Sequence, residues 1–376
     1  MPGLSKLLTR SFTYGILLLV AATSAWADSW ADKIKWQGDF RYRHELIDEE
    51  DKEQRNRHRI RARIGMFAEV ADDVKFGFQL TSGSSDPVSN NQTLGDGFST
   101  KSLGIDFAFF QWQPTAVEGL KVLGGKFQNP WYKPGKSELI WDSDWNPEGL
   151  FTSYKTPQFG SVEIFLDGGM LWVEEREADD DALLVGGQGG LTLNLMDEKA
   201  HVTIGGSYYS YLNTKGCQPF VDTEDGLGNS LGMALTFEGP PFYYYLNSYD
   251  LVEVFLEVGA KVQQLPVTIM VDYVTNTGAD EDKAGYLVGL RFGKAKGWGT
   301  FSGRYIYREV QKDAVLGAYT DSDFIGGGTD GKGHEIGIDV GLSKNITSSA
   351  TFFANQIGIE NGKDFNRLQV DVQFKF

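Results

Sequence analysis

Apolar and polar residues take turns along this chain, one and one, in segment after segment. Arg57, Arg59, Arg61 and Arg63 alternate with His58, Ile60, Ala62, Ile64 and Met66. At the far end Leu368, Val370, Val372, Phe374 and Phe376 alternate with Arg367, Gln369, Asp371, Gln373 and Lys375. Ile336, Ile338, Val340 and Leu342 repeat the pattern, as do Val267, Ile269, Val271 and Tyr273, and Tyr286, Val288, Leu290 and Phe292. A period of two gives a strand one apolar face and one polar face. A soluble sandwich carries the same alternation, so strand count, strand length and connections must separate the cases.

Sixteen segments qualify, starting near Ile34, Asn56, Val74, Leu103, Leu120, Gly149, Ser161, Ala182, Ala200, Asp250, Pro266, Ala284, Trp298, Gly333, Ile346 and Asn366. Their connections alternate between short and long. Asp72-Asp73, Met196 to Lys199, Gln264-Leu265 and Lys344-Asn345 are short; Gly83 to Lys101 and Asp313 to Lys332 are long. Tight turns on one rim and large loops on the other mark a transmembrane antiparallel β-barrel. Leu231, Met233, Leu235 and Phe237 also alternate, and Gly239-Pro240-Pro241 would serve as a turn, which raises eighteen strands as an alternative. Phe242 to Asn247 is too short to span, so sixteen is preferred, with Leu212 to Tyr249 as one long loop.

Residues 1–27 read as a cleaved export signal. Lys6 and Arg10 precede the apolar run from Gly15 to Ala22, and Ala25-Trp-Ala27 supplies small residues before a cut at Asp28. The run falls short of the roughly 20 residues a helix needs to cross the hydrocarbon. Residues 28–376 are then expected to form a single barrel domain. The formal charge of −16 becomes −18 without Lys6 and Arg10, a balance that disfavours nucleic acid. A lone cysteine, Cys217, rules out an intrachain disulfide framework.

The opening Gly38-Asp-Phe-Arg-Tyr-Arg-His44, the Arg57–Arg63 strand, Leu123-Gly-Gly-Lys-Phe-Gln-Asn-Pro130 and the stretch Asp321 to Glu335 occur in an order that resembles the "putative porin" family of Gram-negative outer membranes. The resemblance covers essentially the whole mature chain. It implies a sixteen-stranded, homotrimeric diffusion channel set in outer-membrane lipid and lipopolysaccharide. The final strand, ending Phe374-Lys-Phe376, also resembles the signal read by the barrel assembly machinery.

A sixteen-stranded lumen is too wide for wall side chains to fill. The third long connection, Asn129 to Pro147, is expected to fold inward: Trp131, Trp141 and Trp145 would anchor it, while Glu138, Asp142 and Asp144 face the passage. Arg57, Arg59, Arg61 and Arg63 project to one face about 7 Å apart. Arg41 and Arg43 join them from the first strand. Guanidinium groups against lipid cost roughly 2–4 kcal/mol each near the midplane, so these six belong inside. Two readings stay open: a transverse field between basic wall and acidic loop, or direct pairing that pins the loop. Lys126, Arg291, Arg304, Arg308 and Arg367 are expected to be ordinary hydrated lumen residues. Tyr208, Tyr209, Tyr211, Tyr305 and Tyr307 suit interfacial girdles.

No protease, hydrolase, phosphate-loop or metal-ligand spacing is present, so no enzyme and no cofactor or metal is expected. His58 has the apolar-face parity of its strand, without an identifiable serine partner. The Asp/Gly run Asp321 to Gly331 could offer oxygens to Ca²⁺, but without the spacing of a calcium loop it reads as an acidic hydrated loop. The expected function is passive diffusion of ions and small hydrophilic solutes. Its rivals are a substrate-selective channel and a non-conducting adhesin or receptor barrel.

Overall fold

A computed structural model describes residues 33–197, 199–235 and 241–376. The proposed export signal lies outside them. Sixteen strands form the wall. On the first side are β1 (Ile34–Glu49), β2 (Arg55–Ala71), β3 (Val74–Ser82) and β4 (Leu103–Trp112). Next come β5 (Leu120–Lys126), β6 (Glu148–Lys155), β7 (Val162–Glu174) and β8 (Ala182–Leu195). They are followed by β9 (Ala200–Leu212), β10 (Tyr249–Val262), β11 (Leu265–Asn276) and β12 (Ala284–Gly293). The set ends with β13 (Phe301–Val310), β14 (Gly331–Gly341), β15 (Ile346–Ile357) and β16 (Lys363–Lys375). Each pairs antiparallel with its chain neighbours, and β16 returns to β1 from Asp39↔Lys375 to Glu49↔Phe365. Closure leaves no edge, as lipid demands of any sheet that spans it.

Most strand starts fall within one or two residues of the alternation-based reading. Two move by three: β13 begins at Phe301, because Lys296 N and Gly297 O are tied up by the Thr300 hydroxyl in a turn, and β16 begins at Lys363. Eighteen strands are excluded. Leu231–Ala234 and Phe242–Tyr245 pair only with each other, as a small hairpin outside the wall sheet. A two-residue strand, Gln92–Thr93, adds to β2 above the end of β3.

The outer face is apolar around the circumference. Ile64, Phe110, Ile164, Val254, Ile269 and Val370 are exposed there, at the parity opposite to the inward charged residues. Such a continuous apolar belt is the surface a bilayer covers. At the seam Gly38 has no side chain because the Phe376 ring lies where its Cβ would project, while Gly38 and Phe376 exchange backbone hydrogen bonds of 2.9 and 3.0 Å.

The buried core lies inside the barrel, not between layers. The third, fifth and seventh long loops (L3, residues 127–147; L5, 213–248; L7, 311–330) all send buried side chains inward. The sequence pointed to L3 alone.

Candidate functional site: the barrel lumen

The lumen wall has two unlike halves. From β4 to β11 its inward positions carry the large apolar and aromatic side chains of Phe107, Phe151, Leu171, Tyr209, Phe255 and Met270, with Gln188, Glu253 and Asp272 buried among them. L3 packs on this half. Trp131 meets Phe151 edge-on at 4.8 Å and Tyr209 at 5.1 Å, Trp141 stacks on Trp145 at 5.0 Å, and Tyr132 lies between Phe165 and Phe255. The glycines of β7 and β8 make room for it: a Cβ at Gly186 would stand 2.6 Å from Tyr209 and 3.3 Å from Trp131. Polar anchors fix the rest. Tyr132 N donates to Gln188 Oε1 at 2.7 Å, Ser137 Oγ to Asp272 Oδ2 at 2.6 Å, and Trp141 Nε1 to the Tyr211 hydroxyl at 3.1 Å. Tyr209 and Tyr211 are therefore lumen residues, which corrects their girdle assignment. Strand parity separates them from Tyr208, which is exposed outside together with Tyr305.

The other half of the wall is charged. Arg41 and Arg43 of β1 and Arg57, Arg59, Arg61 and Arg63 of β2 face inward, and the carboxylates beside them come first from the wall itself. Arg61 reaches Asp39 at 3.1 Å and Asp144 of L3 at 3.2 Å; Arg63 reaches the same pair at 2.7 and 3.5 Å. Arg43 holds Asp371 of β16 at 2.7 Å and lies 3.5 Å from Glu45. Arg57 pairs with Glu45 too. Two arginines are held less closely: Arg41 lies 4.0 Å from Asp371 and Arg59 lies 3.7 Å from Glu45. Asp39, Glu45 and Asp371 share the parity of the arginines, so alternation alone could have found them.

The three acidic residues of L3 diverge. Asp144 meets Arg61 and Arg63. Burial opposes its ionisation, yet these two guanidinium groups hold its pKa below the ordinary value. Asp142 does not face the passage; it is buried against L7, where its Oδ2 accepts Ser322 N at 2.8 Å and its own N donates to Tyr319 O at 2.8 Å. Glu138 lines a cavity of about 240 Å³ with Arg41, Arg304, Asp321 and Glu335. Burial, with the charge of Asp321, pushes its pKa up to about 7.

The remaining lumen cations are mostly not freely hydrated. Arg308 and Arg367 are buried and hold L7: Arg308 pairs with Asp321 at 2.9 Å and Arg367 with Asp323 at 2.8 Å. Arg304 pairs with Glu335, Lys126 with Glu148 at 2.9 Å, and Arg291 has a buried Nε without a partner among the described residues. The Asp321–Gly331 stretch is thus no hydrated external loop, because its leading carboxylates are spent on wall arginines. His58 lies outside, its Nδ1 2.9 Å from the Tyr42 hydroxyl. Cys217 is in L5, its Sγ 3.3 Å from Arg176 NH1.

A closed sixteen-stranded wall, an inward third loop and a charged interior are the anatomy of a porin. The family described as "Putative porin" matches residues 46–230 and 243–376. The chain belongs to this family. Among solved structures, OprB from Pseudomonas putida, at high pH, is similar at 11% identity over 92% of this chain and 95% of that one, with a TM-score of 0.59. OmpF from Salmonella typhi, in complex with daunomycin, matches at 12% identity, 92% and 99% coverage and a TM-score of 0.55. A loop L8 deletion mutant of OmpT from Vibrio cholerae matches at 12% identity, 91% and 99% coverage and a TM-score of 0.51. At these identities the likeness is one of fold. No curated protein matches. Family and fold together support an outer-membrane channel in a Gram-negative envelope, and a channel rather than an enzyme.

Proposed function

We propose that the protein is a porin that lets ions and small hydrophilic solutes diffuse passively along the charged half of its lumen. The observation that carries this reading is the division of the wall. L3 covers the aromatic half, and the hydrated path follows the charged side lined by β1, β2 and β12–β16. In this reading Arg41, Arg43, Arg57, Arg59, Arg61 and Arg63 form the basic wall, and Asp144 is the acidic partner that fixes L3 against it. Pinning and field are then one device: Asp144 anchors the loop, while Arg41 and Arg59, the loosely paired members, keep a positive potential in the path. Export through residues 1–27, a homotrimer, insertion by the barrel assembly machinery through the Phe376 strand and contact with lipopolysaccharide complete the proposal.

A second reading, a substrate-selective channel, draws support from L7. Its tip, Asp321 to Asp323, stands inside the barrel between two cavities, which a plain diffusion pore does not need. Single-channel conductance of the refolded protein in a planar bilayer under a salt gradient tests both. Large, ohmic, steadily open steps support diffusion; small steps that a solute blocks support selectivity. Absence of conductance from a folded barrel sinks both. Replacing Arg59 and Arg61 together with Ser should move selectivity toward cations, and an unchanged reversal potential would remove the basic wall from the account.

A further inference from the structure

The seventh loop places a carboxylate where a solute's carboxylate would bind. Asp323 bridges two wall arginines, one oxygen to each: Oδ2 lies 3.1 Å from Arg43 NH1 and Oδ1 lies 2.8 Å from Arg367 NH1. Arg43 keeps Asp371 as a bidentate partner without it, at 2.7 and 2.9 Å. Arg367 does not. It is only 4% exposed, its guanidinium lies over the Phe365 ring at 5.3 Å, and its one carboxylate partner among the described residues is Asp323. Withdrawal of Asp323 would leave a buried guanidinium without countercharge, which is costly unless another anion takes the place.

The positive excess near this point lies above the bridge. Above the bridge a cavity of about 390 Å³ opens toward the loop rim, lined by five cations, Lys52, Arg55, Arg57, Arg59 and Arg367, and three carboxylates, Glu49, Glu53 and Asp86. Below it the cavity of about 240 Å³ is lined by Arg41, Arg43 and Arg304 together with six carboxylates, those of Glu138, Asp321, Asp323, Glu335, Asp339 and Asp371. Ser322 faces the upper cavity and Asp323 the lower, so the loop tip is the partition between them.

We propose that Arg43 and Arg367, with Arg59 above them, form a binding site for small organic carboxylates, and that Asp323 occupies it as a tethered surrogate until a solute carboxylate displaces it. The proposal rests on the channel reading for its purpose: displacement joins the two cavities and admits the solute. A dicarboxylate of succinate size suits it, with one carboxylate at Arg43 and Arg367 and the second toward Arg59.

Calorimetric titration of the refolded barrel with succinate tests the site, with arabinose as the neutral control. Asp323→Asn keeps the side chain's size and removes the competing charge. Succinate should bind this variant about tenfold more tightly than the parent chain, a difference of about 1.4 kcal/mol. Arg367→Gln should lose succinate binding, and arabinose should bind none of the three. Heat-modifiable migration on gels establishes that each variant is folded. Equal or weaker binding by Asp323→Asn, unchanged binding by Arg367→Gln, or no binding at all by folded protein overturns the site. Conductance measured on the same preparations separates the two ideas. A barrel that conducts but never binds succinate refutes this inference alone, whereas one that binds succinate and never conducts refutes the channel.

Discussion

Removing the charge of Asp144 while keeping its shape, as in Asp144→Asn, tests the electrostatics of the passage directly. The side chain lies 3.2 Å from Arg61 and 3.5 Å from Arg63, and both arginines keep Asp39. The substitution therefore adds one net positive charge at the edge of the path without stranding a buried guanidinium. For an ion passing at about 7 Å through water, one unit charge is worth about 0.6 kcal/mol before screening. Screening reduces this to about 0.3 kcal/mol at 0.1 M salt and to about 0.5 kcal/mol at 0.01 M. The effect is opposite for the two ions, so the anion-to-cation permeability ratio should rise about threefold at 0.1 M and about fivefold at 0.01 M. Reversal potentials across a fixed salt ratio, measured at both mean concentrations, give both numbers. The reasoning fails if the ratio falls, or if the shift does not grow as salt is lowered. Either result would mean that Asp144 lies away from the ion path and serves only to hold L3.

Three other expectations follow from packing, lipid exposure and titration. Trp131→Ala removes a ring buried between Phe151 and Tyr209, at a cost of about 3–5 kcal/mol to the folded state, and protease cleavage within L3 together with urea unfolding in vesicles should reveal the loosened loop. Ile64→Arg places a guanidinium on the outer, lipid-facing surface next to the inward Arg63, and should destabilise the inserted barrel by about 2–4 kcal/mol in unfolding titrations from bilayers. Glu138, with a pKa of about 7 set by burial and by Asp321, is mostly neutral at pH 6 and mostly ionised at pH 8. Cation preference should therefore rise across that interval, and Glu138→Gln should flatten the rise.

The wall was legible in the sequence because a strand between lipid and water has no freedom in its pattern. A shift of one residue would put Arg59 and Arg61 into hydrocarbon, and no other contact could offset that. The same parity carried more than was drawn from it. Asp39 and Glu45 lie two residues to either side of Arg41 and Arg43, on their face, so much of the countercharge was readable in β1. Tyr208 and Tyr209 are consecutive and cannot share a girdle. The loops obey no such rule. Where L7 goes is settled by partners far along the chain, Arg43 and Arg367 among them, and a run rich in Asp and Gly looks the same whether it ends in water or on arginine. The signal that could have marked it is the apolar stretch Ala314-Val315-Leu316 and Tyr319, unusual for a hydrated loop and buried in the structure.

Among the inward loops, L3 and L7 are held by different forces, and that difference assigns them different parts. L3 pairs with the wall through Asp144 but rests mainly on an aromatic floor: Trp131, Tyr132, Trp141 and Trp145 bury large apolar surfaces, and their hold is indifferent to the charge of whatever passes. The tip of L7 is held by ion pairs from Asp321 and Asp323 to arginines of three separate strands, β1, β13 and β16. An anion entering the lumen competes for those guanidinium groups but not for the aromatic floor. The loops also touch, through Asp142 of L3 and Ser322 of L7, so displacement of the L7 tip must break that contact as well. L3 is therefore the fixed wall of the passage, and L7 is the element whose position an ionic solute can change.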